Sequence, residues 1–273
     1  MFKRTFIPAK AGAIWGLRAV VDTLFPPGCW ADEEAMGMGG LSEKVRREIG
    51  VLAAQNYCRR CGLTVGPFAR NDWRNRCHRC GQRNAGVKRT ARVGTFSEPL
   101  ITLVHRLKFG RSWEVAEVLA PFLHHAIEQV ATESGVGVDY LVPVSLHWTR
   151  RAQRGFNQAE ELARKVAVLG GWQVRCALRR VRRTAEQARI DTPTRRAENL
   201  KDAFVCRKDA WRGALADKHL WLIDDVSTTG ATLRAAAMAI VKLPKEMRPA
   251  SLNAAVVCVT DHGSPPAEAE VVG

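Results

Sequence analysis

The sequence predicts an α/β fold: a mostly parallel sheet with helices on both faces, preceded by a small cysteine-built module. Three observations carry this expectation. Short apolar runs alternate with helical segments from residue 138 to 259, the pattern of strand–helix units around a parallel sheet. One run, Leu220–Ile223, passes straight into Asp224-Asp225 and then into Ser227-Thr228-Thr229-Gly230-Ala231-Thr232. Ahead of the alternating region stand two Cys-x-x-Cys pairs, Cys58/Cys61 and Cys77/Cys80.

In chain order, Ile14, Leu17, Val20, Val21 and Leu24 share one helix face, ended by Pro26-Pro27. Residues 31–56 are polar, with a helical middle around Leu41 to Leu52. The four paired cysteines follow, each pair trailed by a glycine (Gly62, Gly81) that permits a tight knuckle. Four thiolates at this spacing make a tetrahedral zinc site. No base-reading helix or aromatic platform accompanies them, so the zinc is structural and staples a module too small to hold its own core. The arginines around it (Arg59, Arg60, Arg70, Arg74, Arg76, Arg79 and Arg83) leave a nucleic-acid contact open. Lys88 to Arg92 reads as a short basic linker.

Leu100, Ile101, Val104 and Leu107 form a helix face, and Ala116 to Val130 a second helix with a bend expected at Pro121. Val138 to Val144 is a strand leading into a basic loop with Arg150, Arg151 and Arg154, then a helix through Ala159 to Val166 stopped by Gly170-Gly171. After Val174 the chain is polar and arginine-rich as far as Asn199. Leu220–Ile223 is a buried strand, Ala231 to Val241 a helix stopped before Pro244, Leu252 to Val259 a strand, and residues 261–273 a disordered tail. The expected organisation is therefore an N-terminal helix and polar stretch over 1–56, the cysteine module over 57–87, an α/β domain over 93–260 and the tail.

The eight cysteines include no disulfide framework and fit a reducing compartment, and the expected location is the cytoplasm. No apolar run reaches transmembrane length, so no membrane insertion is expected. Gly12, Gly16, Arg18 and Asp22 break up the N-terminal apolar stretch, which argues against a signal peptide. The net charge of +15 implies anionic partners.

Asp224 and Asp225 end a strand, and the hydroxyls after them open a helix. In open α/β sheets ligands bind at that place. A helix N-terminus suits a phosphate, whereas the acids need hydroxyl protons or a cation. A ribose 5-phosphate satisfies both halves. The basic loop after the strand at 138–144 faces the same sheet edge and would receive a second phosphate group.

The Asp224–Thr232 stretch resembles the phosphoribosyl-pyrophosphate signature of type I phosphoribosyltransferases. Arg154-Gly155-Phe156-Asn157-Gln158, Leu107-Lys108-Phe109-Gly110-Arg111, Arg183-Thr184-x-x-Gln187, Arg196-x-x-Asn199 and Ala203-Phe204 together resemble the ComF family, in matching order over residues 14 to 259. That resemblance implies a type I phosphoribosyltransferase-like parallel sheet joined to an N-terminal zinc ribbon, and a link to uptake of transforming DNA. It implies that Asp224 and Asp225 position the ribose hydroxyls or Mg²⁺-bound water. Val226, Ser227, Thr228, Thr229, Gly230, Ala231 and Thr232 would cradle the 5-phosphate. Arg150, Arg151 and Arg154 would serve the pyrophosphate, and the Arg180–Asn199 segment would close over the site.

Two departures stand out. Phe25-Pro26-Pro27-Gly28-Cys29 matches the start of the family's first ribbon, but residues 31–56 hold no cysteine, so one zinc is expected. Pro143-Val144-Ser145 replaces the usual Pro-Val-Pro. Thr228 stands where the 6-oxopurine enzymes carry an acid, which disfavours hypoxanthine and guanine as acceptors. The competing expectation is a non-catalytic DNA-uptake factor that binds single-stranded DNA or a helicase partner, and a weaker one is a sensor of the sugar phosphate.

Overall fold

A computed structural model of the chain describes residues 41–66, 77, 80, 86–109, 114–146, 155–181, 202–211 and 215–261. The helix expected before Pro26-Pro27, the loop arginines Arg150, Arg151 and Arg154, the polar segment 182–201 and the tail after Asp261 lie outside the described residues. The elements below belong to the compact unit that begins at Glu43.

Helix α1 (Glu43–Ala54) is the helical stretch expected around Leu41–Leu52. It is followed by strand β1 (Thr90–Thr95), helices α2 (Leu100–Phe109) and α3 (Glu114–Ser134), strand β2 (Tyr140–Pro143), helix α4 (Gln158–Gly170) and strand β3 (Gln173–Val174). Strands β4 (Leu178–Arg180) and β5 (Phe204–Cys206) precede β6 (His219–Ser227), helix α5 (Ala231–Val241) and β7 (Ser251–Val259). Helix α3 runs on through Pro121.

Five strands form one parallel sheet in the order β1-β7-β6-β2-β3, and β4 pairs antiparallel with β5. The fold is α/β, as the alternation predicted. Strand β7 is buried at every position, as a parallel strand covered on both faces must be. Side chains alternate along a strand, and β6 shows the consequence. Leu220 and Leu222 join a cluster with Leu233 and Ile240 of α5, Phe204 of β5 and the thiols of Cys58, Cys61 and Cys80. Trp221 and Ile223 are fully buried and turn to the opposite face, where α3 and α4 pack on each other.

Three expectations are corrected. Lys88–Arg92 is not a linker: from Thr90 it enters β1, which pairs with β7 from Thr90↔Ala254 to Thr95↔Val259. The basic residues hide the strand because Arg92 is buried at 2% exposure against partners that lie far off in sequence. Its guanidinium donates to the Gly62 carbonyl at 2.7 Å and to Thr64 Oγ1 at 2.9 Å, and faces Asp261 at 3.7 Å. Leu178–Arg180, read only as part of the polar, arginine-rich stretch after Val174, is strand β4 and pairs with Phe204–Cys206. Asp261, assigned to a disordered tail, is held in place by the Thr64 N–H, which its carboxylate accepts at 3.1 and 3.2 Å.

The first cysteine knuckle is welded to the sheet edge. The Thr90 N–H donates to the Arg59 carbonyl at 2.6 Å and the Thr90 hydroxyl to the Arg60 carbonyl at 2.9 Å. Gly62 sits at φ 80°, and a Cβ there would lie 2.9 Å from Val259 Cγ2 and 3.2 Å from Thr90 Cγ2. Only glycine fits this approach. Arg59 reaches Glu133 at the far end of α3 through two hydrogen bonds of 2.8 and 2.7 Å, and the guanidiniums of Arg59 and Arg92 each lie over the Tyr57 ring, 4.2 and 4.8 Å from its centroid.

Candidate functional site

The sheet order creates one crevice of the kind that binds ligands in open α/β folds. From β2 the chain goes by α4 to β3 on one side, and from β6 by α5 to β7 on the other. The carboxyl ends of β2 and β6, side by side, therefore mark a topological switch point. Pro143 is in register with Ile223, and the Val144 N–H donates to the Ile223 carbonyl at 2.9 Å. The loop that leaves β2 thus begins beside Asp224. The loop arginines that the sequence assigned to it lie beyond the described part.

Asp224 and Asp225 are the sixth and seventh residues of β6, so strand alternation turns them to opposite faces. Asp225 is 8% exposed. Its Oδ1 accepts the Val226 N–H at 2.7 Å and its Oδ2 meets Lys108 Nζ of α2 at 3.2 Å. Asp224 Oδ1 accepts the Asp225 N–H at 3.0 Å. Burial, and after it the charge of Asp225, push the Asp224 carboxyl up to about 8, while the Asp225 N–H, Lys108 and Arg180 pull the other way.

The folded protein consequently holds a proton at Asp224 that the unfolded chain releases. The stability this contributes is present below the ordinary carboxylate value and is lost as pH rises from about 4 to about 8. Asp224→Asn is expected to remove that loss. The variant should melt at a higher temperature than wild type at pH 9 and show a flatter profile in thermal denaturation between pH 5 and 9. An unchanged profile would mean that Asp224 is ionised throughout.

After the acids, Ser227 is buried and its carbonyl accepts the Thr260 N–H at 3.1 Å. Gly230, at φ 72°, occupies the N-cap position of α5 in a left-handed conformation that costs a glycine least. Thr229 Oγ1 accepts the Ala231 N–H at 3.4 Å. Thr228, Thr229, Ala231 and Thr232 therefore bring hydroxyls and backbone N–H groups to the N-terminal, electropositive end of an 11-residue helix. The predicted strand, turn and helix stand in the predicted order.

Two residues whose contacts no local signal marked also reach this edge. Lys108 comes from a helix more than a hundred residues earlier in the chain. Asn157, the N-cap residue of α4, is 6% exposed and its Nδ2 donates to the Val144 carbonyl at 3.4 Å. It ties the start of α4 to the end of β2, and its Oδ1 is buried without a hydrogen-bond partner. Both belong to motifs visible in the sequence, but only the packed fold shows what they touch.

The four cysteines converge as their spacing required. Their Sγ atoms all lie within 4.8 Å of one another. Cys58–Cys80 and Cys61–Cys77 are each 3.6 Å apart and Cys77–Cys80 is 3.7 Å. A disulfide would need about 2.05 Å, whereas tetrahedral zinc with bonds of about 2.3 Å spaces its sulfurs by about 3.8 Å. The residues fit a structural zinc ion. Without a cation the four do not ionise together: the Cys61 thiol holds Cys58 down to about 4, and burial pushes Cys80 up to about 12. A divalent cation lets all four ionise. Among the described residues this is the one cluster of three or more metal-ligating side chains.

No family model matches the chain. Among characterised relatives, the DNA utilization protein YhgH of Salmonella typhimurium is 34% identical over 191 residues, which cover 68% of this chain and 78% of that protein. The same-named protein of Salmonella typhi is 33% identical over the same coverage. Competence protein F of Haemophilus influenzae is 28% identical over 195 residues, 70% of this chain and 80% of that protein. The chain belongs to the ComF family. As a ComF-family member it combines the parallel sheet with the four-cysteine cluster that its motifs implied. Among its described residues no helix is long and apolar enough to cross a membrane.

Proposed function

We propose that this chain is a phosphoribosyltransferase-like protein that binds phosphoribosyl pyrophosphate with Mg²⁺ and serves DNA uptake or nucleotide salvage. The observation that carries this is the position of Asp224–Thr232: two acids followed by a hydroxyl-rich helix start, at the switch point between β2 and β6. One ligand with a diol and a 5-phosphate satisfies both chemistries. The acids accept the ribose hydroxyls. The N–H groups and hydroxyls from Val226 to Thr232 hold the 5-phosphate. Arg150, Arg151 and Arg154, on the loop leaving β2, receive the pyrophosphate.

Asp225 supplies a hard carboxylate oxygen of the kind that Mg²⁺ prefers, and Asp224 becomes a second on giving up its proton. Bound with the pyrophosphate, Mg²⁺ would neutralise charge on the leaving group. In the transfer reaction the C1–O bond to pyrophosphate breaks and an acceptor's lone pair forms the new bond at C1. Closure of the arginine-rich segment up to Asn199 would exclude water. The cysteine module over 57–87 is the structural handle, and the domain expected over 93–260, extended to Thr90 by β1, the ligand-binding body.

Calorimetric titration of phosphoribosyl pyrophosphate with Mg²⁺ tests the assignment. Wild type is expected to bind, and Asp225→Asn to bind at least about tenfold more weakly, the loss of one charge-assisted contact. Absence of binding by wild type would sink the proposal. Equal binding by the variant would remove Asp225 from it.

A second reading, a DNA-binding uptake factor without catalysis, is favoured by the net charge of +15 and by the names of the relatives, one a DNA utilization protein and another a competence protein. It predicts binding of single-stranded DNA, or of a helicase partner, that falls steeply with salt and survives Asp225→Asn.

A further inference from the structure

Lys108 lies in the last turn of α2. A lysine there would ordinarily extend into water near the free helix carbonyls. Instead its ammonium meets Asp225 Oδ2 at 3.2 Å, with the two side chains 21% and 12% exposed. The other oxygen, Oδ1, is already taken by the Val226 N–H at 2.7 Å. Oδ2 is therefore the less encumbered oxygen of Asp225, and the ammonium sits on it.

We propose that Lys108 is an internal cation that shields Asp225 until a divalent ion displaces it. The inference rests on the sugar-phosphate assignment of this site. A divalent ion approaching Oδ2 must compete with the ammonium and is repelled by it, so the bare ion binds poorly. A phosphorylated ligand changes the balance, because its anionic oxygens give the displaced ammonium a new partner. Metal binding at Asp225 thereby becomes conditional on arrival of the phosphate-bearing ligand. Lys108 is a positioning residue in this scheme: it sets which state of Asp225 meets the ligand.

The test is a Mn²⁺ titration of the zinc-loaded, full-length protein, followed by electron paramagnetic resonance of the free ion, with no sugar phosphate present. Lys108→Met is expected to bind Mn²⁺ about tenfold or more tightly than wild type, as removal of a fixed charge beside the ion requires. Lys108→Arg keeps the cation and should stay as weak as wild type. Lys108→Gln, which keeps a polar side chain without the charge, should show the gain if the methionine variant folds poorly. The gain should vanish in Lys108→Met/Asp225→Asn. Equal affinity in wild type and the uncharged variants, or a gain that survives loss of Asp225, would overturn the proposal. Failure of wild type to bind phosphoribosyl pyrophosphate is a separate result, and would overturn the assignment beneath it.

Discussion

Stripping the metal from the cysteine cluster, by chelation or by Cys61→Ser, is expected to lower the melting temperature by about 10 °C or more. The effect should not stop at the cysteine module. Cys58, Cys61 and Cys80 are part of the same apolar cluster as Leu222, Leu233 and Val256, so the knuckle is one wall of the core. Its backbone also satisfies the sheet edge, since Arg59 and Arg60 present carbonyls to Thr90, and Thr64 presents its N–H to Asp261 just past β7. Four thiolates within 4.8 Å of one another need a cation to compensate their charge. Hydrogen exchange should accordingly quicken in β1 and in the last residues of β7, along with the knuckle. Metal-free protein that melts unchanged, or loosens only between residues 57 and 66, would show that the sheet stands without the cluster.

Arg92→Met should cost about 3 kcal/mol or more in denaturant unfolding, because it leaves buried partners of a charge without compensation. Burial works against the Arg92 charge and Asp261 supports it, so the guanidinium persists only inside its full set of contacts. The Gly62 carbonyl, Thr64 Oγ1 and the Asp261 carboxylate would all lose a partner. Lysine should not rescue the loss, since its single nitrogen cannot reproduce the planar fork by which two separate guanidinium nitrogens reach Gly62 and Thr64. A double variant with Asp261→Asn should cost less than the sum of the singles, because the carboxylate is no longer stranded. Strict additivity would place Asp261 outside the network.

How much of this was legible in the sequence follows from where each interaction partner lies. Strand β6, its turn and α5 were legible because an apolar run, two acids and a glycine-punctuated turn are consecutive in the chain. The cysteine cluster was legible because its ligands come as spaced pairs with fixed knuckle geometry. Strand β1 was not, because Arg92 breaks the expected apolar alternation and its compensating groups sit at positions 62, 64 and 261. Asp261 shows the same failure from the other end: a polar residue at the head of a Pro- and Glu-containing tail has no local signal for the backbone N–H it binds. Lys108 was visible within a motif, yet its target lies on a strand more than a hundred residues later.

By itself the sequence determined the α/β class, the four metal-binding thiols and the acid–hydroxyl turn, because each depends on neighbours within a few residues or on a short, rigid spacing. Only the tertiary structure decided the rest. It set the strand order that places the ends of β2 and β6 together and joined the cysteine knuckle to the β1–β7 edge. It also placed Lys108 on Asp225. Those outcomes depend on which long-range pairings bury charge and backbone with full compensation, and that balance is struck only when the whole chain packs.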